Sequence, residues 1–163
     1  MQLNHQSHSR EEHGKEIIIL CDHINSPANQ GSLFRVADAF GVQEIIFYGC
    51  TPDLTSSRLR KTARSTEKLI PYSEKENVLQ TLTELQKKGF TTVALEITSN
   101  SIPLKKLMLN RSKVILIIGN EQNGMESDVL DSAEQVMLIP MFGNNSSMNV
   151  IQAVGIALYQ LID

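Results

Sequence analysis

Tryptophan is absent from this 163-residue chain, cysteine occurs only twice, and aromatic residues make up 5% of it. Two thiols, Cys21 and Cys50, cannot form a disulfide framework. They read as reduced, buried cysteines of a cytoplasmic protein. There is no excess of positive charge, and the formal net charge is -3. That excludes a uniformly basic protein that coats polyanions, so any contact with nucleic acid must use a local patch. No apolar run approaches the roughly 20 residues of a membrane helix. The opening stretch MQLNHQSHSREEHGKE lacks the apolar segment of a signal peptide. His5, His8 and His13 lie in this stretch at spacings that match no metal site, and no metal-spaced Cys/His set occurs elsewhere, so no metal is expected. Residues 1–14 read as a flexible tail and 15–163 as one domain, long enough for a sizeable core.

What the chain does have is a series of short apolar runs. EIIILCD (16–22), EIIFYG (44–49), TTVALE (91–96), VILIIG (114–119) and QVMLIP (135–140) are apolar on both faces, as in buried parallel strands. KLIPY (68–72) is a weaker candidate. Helical periodicity lies between them. Residues 29–41 carry Leu33, Val36, Ala37 and Phe40 on one face and stop at Gly41. Residues 73–89 carry Val78, Leu82 and Leu85, with Ser73 in position to cap them. Residues 125–133 form a short candidate. Alternation of strand and helix predicts an α/β fold, a mostly parallel sheet flanked by helices.

The last predicted helix, 147–161, is apolar around most of its circumference. Only Asn149, Gln152 and Gln160 make a polar stripe. Such a helix needs burial on two sides, so a second subunit is expected against it.

Polar clusters follow three of the strands: DHINSPANQGSLFR (22–35), GNEQNG (119–124) and PMFGNNSSMN (140–149). Each alone reads as a turn, since Asn-Ser-Pro and Asn-Gly are turn sequences. All three stand where ligands of open α/β sheets collect, outside the carboxyl ends of strands. None is a P-loop, and no G-x-G-x-x-G follows a strand. Gly119 would let a backbone approach a ligand closely. Arg35 lies opposite the apolar face of its helix, so it is not a core residue.

These clusters, in this order, resemble the three motifs of the SpoU (TrmH-type) RNA ribose methyltransferases of the SPOUT superfamily. The first is Asn29-x-Gly31-x-x-x-Arg35 with Ala37, Phe40 and Gly41. The second is Ile118-Gly119-Asn120-Glu121-x-x-Gly124. The third is Ile139-Pro140-Met141-x-Gly143, then Ser147-Met148-Asn149-Val150, with Ala153 and Tyr159. Val93 to Glu96 also match. The chain departs from the family pattern at Ile151, where serine is frequent, and at Met148, where leucine is frequent.

The resemblance implies a deep trefoil knot at the C-terminal end and a homodimer. It implies S-adenosyl-L-methionine held by Leu95, Gly119, Ile139, Ser147 and Met148. It also implies methylation of a ribose 2′-hydroxyl by a site made of Arg35, Asn29, Glu121, Ser147 and Asn149. Transfer RNA is expected ahead of rRNA, since the chain is close to a minimal catalytic domain. Arg35 stays charged, so it suits stabilisation of an alkoxide better than general-base work. Arg58, Arg60, Lys61 and Arg64 in SSRLRKTAR make a basic patch suited to RNA phosphates, or a solvated loop. Two rivals share the fold: an RNA-binding protein without transfer, and a methyltransferase acting on bases.

Overall fold

The computed structural model describes residues 11–163. Seven strands form one sheet: β1 (Glu16–Asp22), β2 (Glu44–Tyr48), β3 (Tyr72–Lys75), β4 (Thr91–Leu95), β5 (Ile102–Pro103), β6 (Lys113–Ile118) and β7 (Gln135–Leu138). Their order is β3-β2-β1-β6-β4-β7-β5, and every pairing is parallel. The central strands β1 and β6 are buried on both faces, which is why their sequences show unbroken apolar runs rather than alternation. The expected parallel α/β architecture is met.

Five α-helices cover the sheet: α1 (Pro27–Ala39), α2 (Ser57–Ala63), α3 (Val78–Lys87), α4 (Ser127–Asp131) and α5 (Val150–Ile162). Ile17, Ile19 and Cys21 of β1 face α1, α2 and α5, whereas Ile18 and Leu20 face α3 and α4. Two cores therefore sandwich the sheet.

Register aligns the strand ends that matter. Leu95 pairs with both Ile118 and Met137, and Cys21 also pairs with Ile118. The loops after β4, β6 and β7 consequently leave the sheet side by side. β7 inserts between β4 and β5, two strands that precede it. The knot is a property of loop threading, which strand order alone does not define.

Several predicted boundaries shift. KLIPY is strand only at its end: Thr66–Lys68 form a 3-10 turn, Pro71 has no N–H to give and joins only through its carbonyl, which accepts from Ile45 N (3.0 Å), and β3 starts at Tyr72. Ser73 is not a helix cap. It sits in β3 and donates to Glu44 Oε1 (2.6 Å), while Asn77 caps α3 by accepting from Gln80 N (3.0 Å). Helix α1 starts at Pro27, two residues early, because Ser26 caps it and proline suits the first turn. The last helix starts at Val150 rather than 147, since Asn149 is its cap, accepting from Ile151 N (2.9 Å).

Within the predicted tail, His13 hydrogen-bonds to the Phe40 carbonyl (2.9 Å) and accepts from Lys15 N (3.1 Å). His5 and His8 lie outside the described residues. On α5, Val154, Ala157, Leu158 and Leu161 are buried in the chain's own core, while Ile156 and Tyr159 are exposed.

Candidate active site

A cleft opens where β4, β6 and β7 end. Leu95, Gly119, Ile139, Ser147 and Met148 all line it, together with Glu96 and Glu121. Aliphatic side chains from the strand ends line it, and Asn120 and Ser147 add neutral polar groups.

The loop after β6 is a closed turn and a wall at once. Asn120 and Gly124 exchange both backbone hydrogen bonds (3.1 and 2.9 Å). The Asn120 side chain accepts from Gln122 N (2.9 Å) and Asn123 N (3.1 Å) and donates to the His23 carbonyl (2.8 Å). A Cβ at Gly119 would lie 2.7 Å from the Gly124 carbonyl carbon and from Met125 N. The close approach expected at Gly119 is therefore to this returning backbone, and the glycine shapes the loop that borders the cleft. Gly124 itself has φ +70°.

Three expected site residues meet at the rim. Asn29 Nδ2 donates to Glu121 Oε1, and Asn149 Nδ2 donates to Asn29 Oδ1 (3.2 Å). One residue from each polar cluster thus joins one hydrogen-bonded chain. The caps position it: Asn29 stands in the first turn of α1 and Asn149 at the start of α5.

Arg35 is not in that chain. It lies six residues beyond Asn29, about 9 Å along the helix. It is exposed and makes no ion pair or side-chain hydrogen bond among the described residues. Gly31, one turn before it, marks the side of α1 that abuts α2: a Cβ there would lie 2.2 Å from the Leu59 carbonyl oxygen. Ser147 is exposed on the cleft wall with no partner to Arg35.

The basic stretch is a helix, not a loop. Leu59 and Ala63 are buried against the core, and Arg58, Arg60 and Lys61 are exposed on α2. Arg64 is the exposed C-cap in a left-handed conformation. The helix carries these exposed cations beside α1, with Arg58 and Arg60 on different sides of it.

Two features lie beyond the expected site residues. Glu96 lines the cleft. Asp22, fully buried, accepts from Glu126 N (2.6 Å) and bonds His23 Nδ1 (2.5 Å), while Tyr48 donates to Glu126 Oε2 (2.9 Å). Ligand-type atoms of Asp22, His23 and Glu126 lie within 4.8 Å of one another. Both Asp22 oxygens are already engaged, so the cluster ties the start of α4 to the ends of β1 and β2. A carboxylate closing an apolar strand was its only sequence signal. Burial pushes the Cys21 thiol well above its ordinary value and Cys50 up to about 11, so both stay neutral thiols near pH 7.

A parallel sheet with its cleft at the ends of β4, β6 and β7, rimmed by residues of three ordered motifs, defines an α/β domain with a strand-end ligand site. The model of the SpoU rRNA Methylase family matches residues 16–159, and the chain belongs to that family. It is 28% identical over 150 residues to the tRNA (guanosine(18)-2′-O)-methyltransferase of Aquifex aeolicus, covering 92% of this chain and 70% of that one. It is 29% identical over 149 residues to the 23S rRNA (guanosine-2′-O-)-methyltransferase of Pseudomonas aeruginosa, covering 91% and 59%. The crystal structure of an AdoMet-bound rRNA methyltransferase from Sinorhizobium meliloti superposes with TM-score 0.80 at 26% identity, covering 90% of this chain and 55% of that one. The chain thus spans between about half and 70% of the length of these proteins.

Proposed function

We propose that this domain transfers a methyl group from S-adenosylmethionine to a ribose 2′-hydroxyl of RNA, with tRNA the first substrate to test and rRNA the second. Of the two relatives above, the one matched over more of its own length is named for tRNA. The observation that carries the reading is the Glu121–Asn29–Asn149 chain at the rim of a cleft lined by Leu95, Gly119, Ile139, Ser147 and Met148.

The cleft fits the cofactor on its own chemistry. Aliphatic side chains from three strand ends suit an adenine face, loop backbone offers hydrogen bonds to its edge, and carboxylates suit a cation. When bound, S-adenosylmethionine supplies an electrophilic methyl on a sulfonium. The protein must align the hydroxyl and ease loss of its proton.

Asn29 is pre-oriented for this. One amide N–H is held by Glu121 and its carbonyl accepts from Asn149, which leaves the other N–H for substrate. Arg35, an exposed cation with no ion pair among the described residues, stabilises the developing alkoxide or steers a neighbouring phosphate. Ser147 binds the same phosphate or orients the guanidinium. Arg58, Arg60, Lys61 and Arg64 hold the RNA backbone. The knot, as in the family, would order the loops after β6 and β7.

A second copy covering Ile156 and Tyr159 of α5 makes the active form a homodimer. A cytoplasmic location goes with RNA modification and with two reduced thiols. The test is transfer of labelled methyl to unmodified tRNA and rRNA, with product mapping. A labelled sugar supports the reading. A labelled base, or RNA binding without transfer, favours one of the rival activities.

A further inference from the structure

Among the described residues, two side chains lining the cleft carry formal charge, Glu96 and Glu121, and both are acidic. Among the described residues no lysine, arginine or histidine lines it. Glu121 is engaged with Asn29. Glu96 has no part in substrate alignment or proton loss as outlined above, yet it is held at both oxygens. Ile97 N donates to its Oε1 (3.0 Å) and Met125 N to its Oε2 (3.2 Å). Gly124 stands against it, and a Cβ there would come within 3.1 Å of Oε2. The loops after β4 and β6 therefore converge on one fixed carboxylate.

Backbone N–H groups hold both oxygens of Glu96, so its negative charge is fixed at the cleft with no cation among the lining residues, and a ligand of opposite sign would complement it. The reaction proposed above changes that sign. The C–O bond forms as the S–C bond breaks, and the S–C electron pair stays on sulfur. The hydroxyl proton leaves to solvent or phosphate. The cofactor enters as a sulfonium cation and leaves as a neutral thioether.

Resting on that reading, we infer that Glu96 is a specificity-determining residue. It favours the cationic cofactor over the thioether product, and so promotes product exchange after each transfer.

The test measures equilibrium binding of S-adenosylmethionine and S-adenosylhomocysteine to the full chain at low and high salt. Wild type should prefer the sulfonium, and the preference should shrink as salt rises. Glu96→Gln should lose about fivefold to tenfold affinity for the sulfonium and less than about twofold for the thioether. Glu96→Asp should keep the preference even where both affinities fall. Equal weakening of both ligands by Glu96→Gln would mean that the carboxylate only ties loops, and would overturn the inference. So would equal binding of both ligands by wild type, a readout that needs no variant to fold. Wild type binding neither compound would remove the cofactor reading itself. Wild type that transfers methyl but shows no charge preference would remove this inference alone.

Discussion

Asn29 and Glu121 stand 92 residues apart in the chain and are joined by a hydrogen bond from the asparagine amide to the carboxylate. The bond links the first turn of α1 to the loop after β6. With the Asn149 amide donating to the Asn29 carbonyl oxygen, it fixes the orientation of the Asn29 side chain.

Removing either partner should affect transfer more than folding. Glu121→Ala and Asn29→Ala should each lower kcat by about 100-fold. The pair is exposed, so stability should change by less than about 1 kcal/mol. Steady-state kinetics beside a thermal melt checks this. Full activity in Glu121→Ala would make GNEQNG no more than a turn.

Gly119→Ala should act through the loop. The new methyl would press on the Gly124 carbonyl carbon and Met125 N at 2.7 Å, both backbone atoms that cannot swing aside. Destabilisation of about 1–3 kcal/mol is expected, with loss of cofactor binding. Denaturant melts and calorimetric titration measure the two effects on one sample.

The α2 surface should reveal itself through salt. Arg58, Arg60, Lys61 and Arg64 changed together to alanine should weaken RNA binding and flatten the plot of log affinity against log salt. With four phosphates lost at about 0.7 each, the slope should fall by about 3. Cofactor affinity should not change. An unaltered slope would assign these cations to solvent.

Alkali should destabilise the fold in a defined window. Burial raises Cys50 from its ordinary value of about 9.0 to about 11, and raises Cys21 in the same direction. Between those values the unfolded chain binds fewer protons than the folded one, so stability is full below about pH 9 and falls as pH rises towards about 11. Urea melts across this range check it. At pH 8 both thiols should resist alkylation until the chain is unfolded.

The strands were legible because burial on both faces leaves an unbroken apolar signature, as in Ile17–Leu20 and Val114–Ile118. Caps were less so. Ser73 and Asn77 are both good capping residues, and only pairing of Ser73 with Ile46 decides for Asn77. Helix α2 was hidden because just Leu59 and Ala63 of its seven residues face the core. The purpose of Gly119 depends on what returns to meet it, which only the folded loop defines. Motif order pointed to Asn29, Glu121 and Asn149, but their direct contact is a product of sheet register. Arg35, read from the motif as catalytic, is exposed and stands outside that contact.

The most direct measurement is mass spectrometry of nucleosides from unmodified tRNA and rRNA incubated with the protein and S-adenosylmethionine. Wild type should yield a 2′-O-methylated nucleoside, and Arg35→Ala, which should still bind the cofactor, should not. A methyl group on a base, or no methylated nucleoside from a protein that binds both RNA and cofactor, would contradict the proposed function.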